Sequence, residues 1–324
     1  MPGGPRHRRP GAGGTPVRYA VHRLLQAIPV FVATTFLIYA MVWALPGDPI
    51  LTLAGDKPLP ENVLQTLREH YHLNDPLIVQ YGLYMAGVFL RGDLGETFTG
   101  QPVSELLQDR WSVTAQLGVT AWIFELVVGI GLGVLAGLRR GKLADTAVLA
   151  GTTFVIAVPV FVVGYTAQIL LGLNLGLFPT AGTDDGWPVS YLLPGMVLGS
   201  FGLAYVARLT RTSVVENLRA DYVRTAAAKG MRRTRIIGRH ALRNSLIPVV
   251  TYLGVDFGNL MAGAVVTEGI FNLPGIGQQV FQSIQLQEGP VVVGVTTLLV
   301  MIFILANLLV DLLYGVLDPR IRRG

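Results

Sequence analysis

Apolar residues gather along this chain into runs long enough to cross a lipid bilayer, separated by polar and basic segments. A helix needs roughly 20 such residues to span about 30 Å of hydrocarbon. Taken with their flanks, six runs reach this length: residues 24–45, 113–138, 146–178, 192–206, 245–267 and 290–317. Pro159, in the middle of the third run, predicts a kink there. The pattern predicts an all-α integral membrane protein with six transmembrane helices.

The longest stretch without a predicted span is residues 47–111, which hold nine acidic and four basic residues. Its apolar part, 76–90, has 15 residues, fewer than the roughly 17–25 of a spanning helix. We place that part at or near the outer interface and leave its depth open. The whole stretch is predicted to be an external insertion after helix one.

Charge orients the predicted spans. Of the 25 lysines and arginines, 21 fall on the side that carries both termini, and the other four lie in the insertion. Basic residues concentrate on the cytoplasmic side of membrane proteins, so both termini are predicted to be cytoplasmic. The resulting organisation is a disordered basic tail at 1–20, helix one at 21–46, the insertion at 47–111, a five-helix core at 112–317 with a cytoplasmic loop at 208–244 and an external loop at 268–289, and a cytoplasmic tail at 318–324.

Composition narrows the function classes. Only 14% of the 324 residues are charged, against about 25% in soluble domains. The chain has no cysteine, which excludes disulfides and thiolate metal sites. His70 and His72 would face different sides of a helix and lack an evident third ligand, so they predict no metal site.

The cytoplasmic loop is patterned as well as basic. Residues 223–229 are rich in alanine and predict a short helix, Gly230 supplies a left-handed residue to end it, and 236–242 predict further helical turns. Small side chains on such a helix let another protein's backbone approach closely. The alternative is a loop that only fixes the topology through its positive charge.

This loop resembles the cytoplasmic coupling loop of ABC-importer permeases, whose pattern is Glu-Ala-Ala, three residues, Gly, nine residues, Ile, one residue, Leu, Pro. Counted from Gly230, Ala226 and Leu242 match it. Four positions depart from it: Arg224, Thr225, His240 and Arg243. The segments Tyr-Val-Arg-Thr-Ala-x-Ala-Lys-Gly at 222–230 and His-x-Leu-Arg-Asn-x-Leu-Ile-Pro at 240–248 are similar to the version in dipeptide and oligopeptide importer permeases.

Other landmarks resemble the same family, in its order. They are Leu-Pro-Gly-Asp-Pro at 45–49, Leu-Asn-Asp-Pro at 73–76 with Tyr81, Gly-Asp-Leu-Gly at 92–95, Thr-Glu-Gly-Ile-Phe-Asn-Leu-Pro-Gly-Ile-Gly at 267–277 and Leu-Asp-Pro-Arg-Ile-Arg at 317–322. Glu96 replaces a common small hydroxyl residue, and Trp111 replaces a common proline. The resemblance implies the type I importer fold, in a bacterial inner membrane.

The resemblance also implies partners: a second permease, two cytoplasmic ATPases, an external substrate-binding protein, membrane lipid and a peptide substrate. The chain has no Gly-x-x-x-x-Gly-Lys-Ser/Thr loop to hold nucleotide phosphates. ATP and Mg²⁺ are therefore expected on the ATPase partners, and this chain is expected to be neither an enzyme nor a binder of a cofactor. Its basic loop lacks the interleaved aromatic residues of a nucleic-acid site. Whether the cargo is a dipeptide, a longer peptide, nickel, haem or a peptide-like conjugate stays open.

By this resemblance the loop contacts the ATPases through one set of residues. They are Tyr222, Arg224, Thr225, Ala226, Ala227, Ala228, Lys229, Gly230, Arg232, Arg233 and His240. The three alanines and the glycine are expected to make the close contacts, and the basic residues supply charge complementarity.

Three acids fall inside apolar runs, where a charge is costly and commonly functional or paired. Asp256 shares a helical face with Asn259 and could meet the free amine of a peptide; a structural pairing is the alternative. Glu125 is a second candidate for the pathway, or an acid of a packing interface. Asp311, near the inner boundary, is expected to pair with a loop arginine.

The external loop carries Leu-Pro-Gly-Ile-Gly at 273–277. Pro274, Gly275 and Gly277 could let it dip back among the helices as a gate, which requires burial within protein. The alternative is an ordinary external loop.

Two other classes of function stay open from the residues alone. A proton-coupled secondary transporter would use Glu125 and Asp256 as a proton relay and would work without ATPase partners. A non-transporting membrane scaffold would show no substrate flux even with every partner present.

Overall fold

The computed structural model describes residues 16–43 and 60–317, which are mostly helical. The helices are α1 Pro16–Trp43, α2 Glu61–His70, α3 Leu77–Arg91, α4 Val103–Gln108, α5 Arg110–Phe124, α6 Ile130–Leu138, α7 Leu143–Ala157, α8 Val160–Ala167, α9 Val189–Leu198, α10 Ser200–Leu218, α11 Asp221–Ala228, α12 Arg233–Arg235, α13 Leu242–Ser245, α14 Ile247–Ile270, α15 Ile276–Gln285 and α16 Gly289–Leu317. Wider π-helical turns occupy Glu125–Gly129, Gln168–Asn174 and Ile236–Ala241.

Some of the sequence predictions lie outside the described residues. They are the tail before residue 16, the motif at 45–49, the motif after residue 317 with the C-terminal tail, and the pairing of the Asp311 side chain.

Three helical stretches are long and apolar enough to cross a membrane: Arg23–Trp43, Val103–Leu138 and Gly289–Leu308. Three bent helix pairs also qualify, so the described residues contain up to six spans if each pair is one span. The pairs are α7 with Val160–Asn174, α9 with α10, and Ile247–Met261 with Ala264–Ile270. This number agrees with the six predicted spans.

The bend predicted at Pro159 is present and sharp. The helices on either side of it meet at 106°. Val158 has extended backbone angles, φ −96° and ψ 127°, as expected for a residue that precedes proline. Pro159 directly precedes α8 as its N-cap residue, where its missing N–H costs no hydrogen bond.

A stripe of glycines joins α6 to α10. Gly129, Gly133 and Gly137 recur every fourth residue, and a Cβ on any of them would collide with α10 at Val206, Thr210 or Val214. Such small residues let two membrane helices approach closely, where van der Waals packing holds them. The two helices therefore pack as one tight unit.

We expect Gly133→Val to destabilise the folded protein by about 1–3 kcal/mol, because the added methyl groups overpack the contact with Ala207 and Thr210. Thermal unfolding of the purified chain in detergent measures the effect. Gly131→Val is the matched control, since Gly131 lies on the same helix with open space beside it. Equal melting temperatures for the two variants would contradict the tight contact.

Within the insertion, the short apolar helix α3 packs against the spanning part of α1. The Tyr81 hydroxyl lies 2.9 Å from Thr35 Oγ1 and donates a 3.2 Å hydrogen bond to the Val32 carbonyl. The Tyr81 ring also meets Phe36 edge to face, with centroids 5.2 Å apart. The position of α3 is thus fixed by helix one, whereas its depth in the bilayer stays a prediction.

Candidate functional site

The predicted coupling loop folds as a helix, a turn and further helical turns, as its sequence indicates. Helix α11 covers Asp221–Ala228, and Gly230 has the left-handed φ of +76°. The Gly230 N–H donates to the Ala227 carbonyl at 2.9 Å, which closes the helix end. From Arg233 onward the chain is helical again as far as Ser245.

The loop has a small core of its own. Val223, Ala226, Ile236 and Ala241 are buried together. Ala226 departs from the expectation of close contact with a partner, because its side chain is only 8% exposed and packs inward. The helical turn that buries Val223 also buries the residue three positions later, and this phase turns Ala227 and Ala228 outward.

The other predicted contact residues lie on the loop surface. They are Tyr222, Arg224, Thr225, Ala227, Ala228, Lys229, Gly230, Arg232 and Arg233, all exposed, and His240, which is half-buried. Two small side chains and a glycine are thus surrounded by basic groups. The surface can take a closely approaching backbone and can bind acidic side chains.

Helix α10 runs further than predicted, to Leu218, so Arg208 and Arg211 belong to a helix rather than to a loop. Arg211 makes a two-pronged ion pair with Asp145, through Nε at 2.5 Å and Nη2 at 2.8 Å. The Gly141 N–H also donates to Asp145, at 2.9 Å. Bidentate pairs of this kind fix orientation. The pair of Arg211 with Asp145 attaches α10, the helix that leads into the coupling loop, to the start of α7.

Two of the predicted intramembrane acids meet at one point. The carboxyl groups of Glu125 and Asp256 both lie against Gly202 of α10, where a Cβ would collide with each of them. Glu125 is fully buried, and no hydroxyl, amide or basic group of the described residues donates to its carboxyl oxygens. Two ionised carboxylates in contact repel strongly. The pair therefore requires a proton or a cationic group between its oxygens.

Asp256 is buried directly behind the surface of the molecule. Asn259 Nδ2 and the Tyr252 hydroxyl each donate to Asp256 Oδ1 at 3.3 Å, which agrees with the predicted shared face of Asp256 and Asn259. The Tyr252 ring stacks on Tyr205 with centroids 5.7 Å apart. Asn259 and Tyr205 are exposed. Helices α10 and α14 thus present a polar and aromatic face with a carboxyl group behind it.

The predicted external loop turns back among the helices through Glu268, a residue that the sequence reasoning did not single out. Glu268 is fully buried at the end of α14. Its Oε1 accepts the Thr114 hydroxyl at 2.7 Å, and its Oε2 accepts the Gln278 N–H at 2.9 Å. The Ile276 N–H donates to Thr114 Oγ1 at 2.9 Å. These hydrogen bonds tie the start of α15 to α5 and α14. A carboxylate suits this place, because a helix N-terminus favours a negative charge.

The gate candidates Gly275 and Gly277 surround this carboxylate. A Cβ on either glycine would collide with Glu268 or with the Val265 backbone. Phe271, Leu273 and Ile276 are fully buried around them. Pro274 itself is exposed, whereas Gly275 and Gly277 are buried, so the part of the segment that follows Pro274 is packed within the protein. The sequence does hold a signal for Glu268. It is an acidic residue that stands between an apolar run and a segment whose glycines leave room for its carboxylate.

The described residues contain no group of three or more His, Asp or Glu side chains that could hold a metal ion. His72 lies beside Asp75, with Nδ1 and Oδ2 3.4 Å apart. The side chain of His70 lies outside the described part.

The apolar helices, the segment after α14 that turns back among them and the exposed basic loop are typical of an integral α-helical membrane protein. The family described as Binding-protein-dependent transport system inner membrane component matches residues 129–323. The family described as Binding-prot-dependent transport system membrane comp, N-term, matches residues 16–118. The chain belongs to the family of binding-protein-dependent transport system inner membrane components.

Several curated relatives match over almost their whole length. The dipeptide transport system permease protein of Escherichia coli strain K12 is 40% identical, over 94% of this chain and 99% of the relative. A putative peptide transport system permease protein of Brucella abortus strain 2308 is 38% identical, over 93% and 97%. The dipeptide transport system permease protein of Alkalihalophilus pseudofirmus is 35% identical, over 94% and 99%. These matches confirm the predicted family and the predicted all-α membrane fold.

Proposed function

We propose that this chain is a permease subunit of an ATP-binding cassette importer for dipeptides or oligopeptides, and that it forms half of the translocation pathway. The observation that carries the proposal is the coupling loop, in which Ala227, Ala228 and Gly230 lie exposed among basic side chains. The relatives named as dipeptide or peptide permeases support a peptide cargo.

The proposed complex contains a second permease, two cytoplasmic ATPases and an external substrate-binding protein. The ATPases hold ATP and Mg²⁺, because this chain has no phosphate-binding loop. The complex hydrolyses ATP, whereas this chain has no catalytic site of its own. The excess of basic residues in the coupling loop supports an orientation with the loop and both termini in the cytoplasm.

The pathway is proposed to run along the exposed face of α10 and α14. Asn259 and Tyr205 line it, and the carboxyl group of Asp256 lies just behind them. A peptide has a free ammonium group, which can supply the cation that the Glu125 and Asp256 pair lacks. The segment with Pro274, Gly275 and Gly277 is proposed to act as the outer gate, held shut by Glu268.

The test is transport in proteoliposomes that contain the two permeases, the ATPases and the binding protein. Uptake of a labelled dipeptide is expected with ATP inside and is expected to survive collapse of the proton gradient. Purification of the tagged chain in mild detergent is expected to retain the other permease and the ATPases. A chain that purifies alone and transports on a proton gradient without ATP would overturn the proposal in favour of a proton-coupled transporter. Full assembly without substrate flux would instead indicate a scaffold.

We expect Asp256→Asn to lower dipeptide uptake by about tenfold, as the loss of one charge-assisted contact with the peptide ammonium. The amide preserves the size of the side chain and can still accept from Tyr252. Uptake of an N-acetylated dipeptide, which has no ammonium, is expected to be similar in both proteins. An equal loss for the two peptides would contradict the contact with the amine. Glu125→Gln tests the second member of the pair in the same assay.

A further inference from the structure

A cavity of about 650 Å³ lies at the ends of two membrane-spanning helices, α1 and α16. Its size is typical of a small-molecule site, which spans about 300–1,000 Å³. None of its lining residues belongs to the coupling loop, the acid pair or the gate. The residues that line it are aromatic, charged and apolar, among them Trp43, Tyr84, Arg91, Asp93, Leu83 and Leu90.

One wall of the cavity is aromatic. The ring centroids of Tyr39 lie 6.1 Å from Trp43 and 5.7 Å from Tyr84, and Trp43 lies 6.2 Å from Tyr71. The rings of each pair are tilted by 31–39° rather than perpendicular. Aromatic faces attract a cation placed within about 6 Å of the ring centroid. Tyr and Trp are also the residues enriched where a membrane meets water.

The rim of the cavity carries one basic residue, Arg91, and two acidic residues, Asp93 and Glu96. Helix α3 ends at Arg91, and Gly92, with a left-handed φ of +69°, turns the chain back. The Asp93 carboxylate then accepts the Gly95 N–H at 2.9 Å. Arg91 Nη2 and the Asp93 Cβ both lie beside Gly87. Among the described residues neither Arg91 nor Asp93 forms an ion pair, although they share one rim.

The remaining wall is apolar and faces outward. Leu83 and Leu90 line the cavity with side chains that are 44% and 83% exposed. Phe89, 65% exposed, extends this apolar flank along α3. The site is therefore amphipathic, with a charged and aromatic end at the ends of two spans and an apolar side along a short helix.

We propose that this cavity binds a phospholipid whose headgroup carries both a phosphate and a primary amine, as phosphatidylethanolamine does. The phosphate binds Arg91, and the ammonium binds Asp93 and the faces of Trp43 and Tyr84. The acyl chains follow Leu83 and Leu90. A free dipeptide also has an ammonium and an anionic group, but it has no chains to cover that flank. The lipid accounts for the charged and aromatic end as well as for the apolar flank. The site does not depend on which cargo is transported.

The experiment uses the complete transporter, purified in mild detergent and titrated with single lipids of matched acyl chains during native mass spectrometry. Phosphatidylethanolamine is expected to bind this chain about tenfold more tightly than phosphatidylglycerol, which lacks the ammonium. Asp93→Asn and, separately, Arg91→Gln are expected to reduce the affinity for phosphatidylethanolamine by about tenfold. Asp185→Asn is the control, since Asp185 is exposed and lies outside the cavity.

Equal binding of the two lipids would overturn the proposal, and so would an unchanged preference in both rim variants. Displacement of bound phosphatidylethanolamine by dialanine would assign the cavity to peptide and would also overturn it. Retention of both permeases and the ATPases in each variant shows that the complex is intact, so a loss of lipid then reports on the cavity alone.

Discussion

Replacing Ala228 with arginine is expected to stop ATP-driven import while the permease stays folded in the membrane. Ala228 is exposed on α11. A Cβ placed on Gly230, two residues further on, would meet nothing within 4 Å. A long side chain there keeps an ATPase backbone from approaching, and the loss of one central interface contact costs about 2 kcal/mol or more. That corresponds to about thirtyfold in affinity. Peptide uptake in proteoliposomes measures the loss of import, and co-purification of the ATPases measures the loss of affinity.

Two further variants make this test specific. Ala228→Ser keeps the side chain small, so its uptake and its assembly are expected to match the wild type. Ala226→Arg should behave differently, because Ala226 is buried in the core of the loop and its replacement should disrupt the loop itself. Normal uptake by Ala228→Arg, with the ATPases still bound, would show that this face of α11 is not the contact.

Replacing Glu268 with alanine is expected to have the second large effect, on the external segment. The change leaves Thr114 and the first amides of α15 without their buried acceptor. Each buried group left unpaired costs about 1–3 kcal/mol. The start of α15 should loosen, which we expect to see as faster hydrogen exchange at 276–280. If the segment is a gate, ATP hydrolysis should also become independent of the binding protein.

Glu288→Ala is the control for this variant, since Glu288 follows the same helix but lies only partly buried. Its exchange rates and its ATP hydrolysis are expected to stay at wild-type levels. If Glu268→Ala speeds hydrogen exchange without changing ATP hydrolysis, Glu268 has its structural role but the segment is not a gate. Unchanged hydrogen exchange in Glu268→Ala would contradict both the structural role and the gate.

The features that the sequence predicts well are local ones. The helix of the coupling loop follows from a run of alanines, and its end follows from Gly230, since a left-handed residue favours glycine. The bend before α8 follows from Pro159 and the residue before it. Each of these depends on neighbours within one or two helical turns.

The features that the sequence does not predict join distant residues. The sequence offered Glu125 and Asp256 as a pair only in the proton-relay alternative, and it gave no reason for the two to meet. The packing of α10 and α14 with the π-helical turn after α5 brings both carboxyl groups against Gly202. Glu268 accepts a hydrogen bond from Thr114, which lies 154 positions earlier in the chain. Periodicity within one helix carries no information on such contacts. The inward direction of Ala226 also required the structure, because an alanine suits either face of a helix.

Helix α10 has the coupling loop at one end and the acid pair near the other. From Gly202 to Leu218 it runs without a break, which makes a rod about 24 Å long. The glycine stripe packs tightly against its middle, so α6 would move together with α10. A displacement of the loop end would therefore be carried along the rod to the wall against which Glu125 and Asp256 rest. A force applied outside the bilayer would in this way change the spacing of two carboxyl groups inside it.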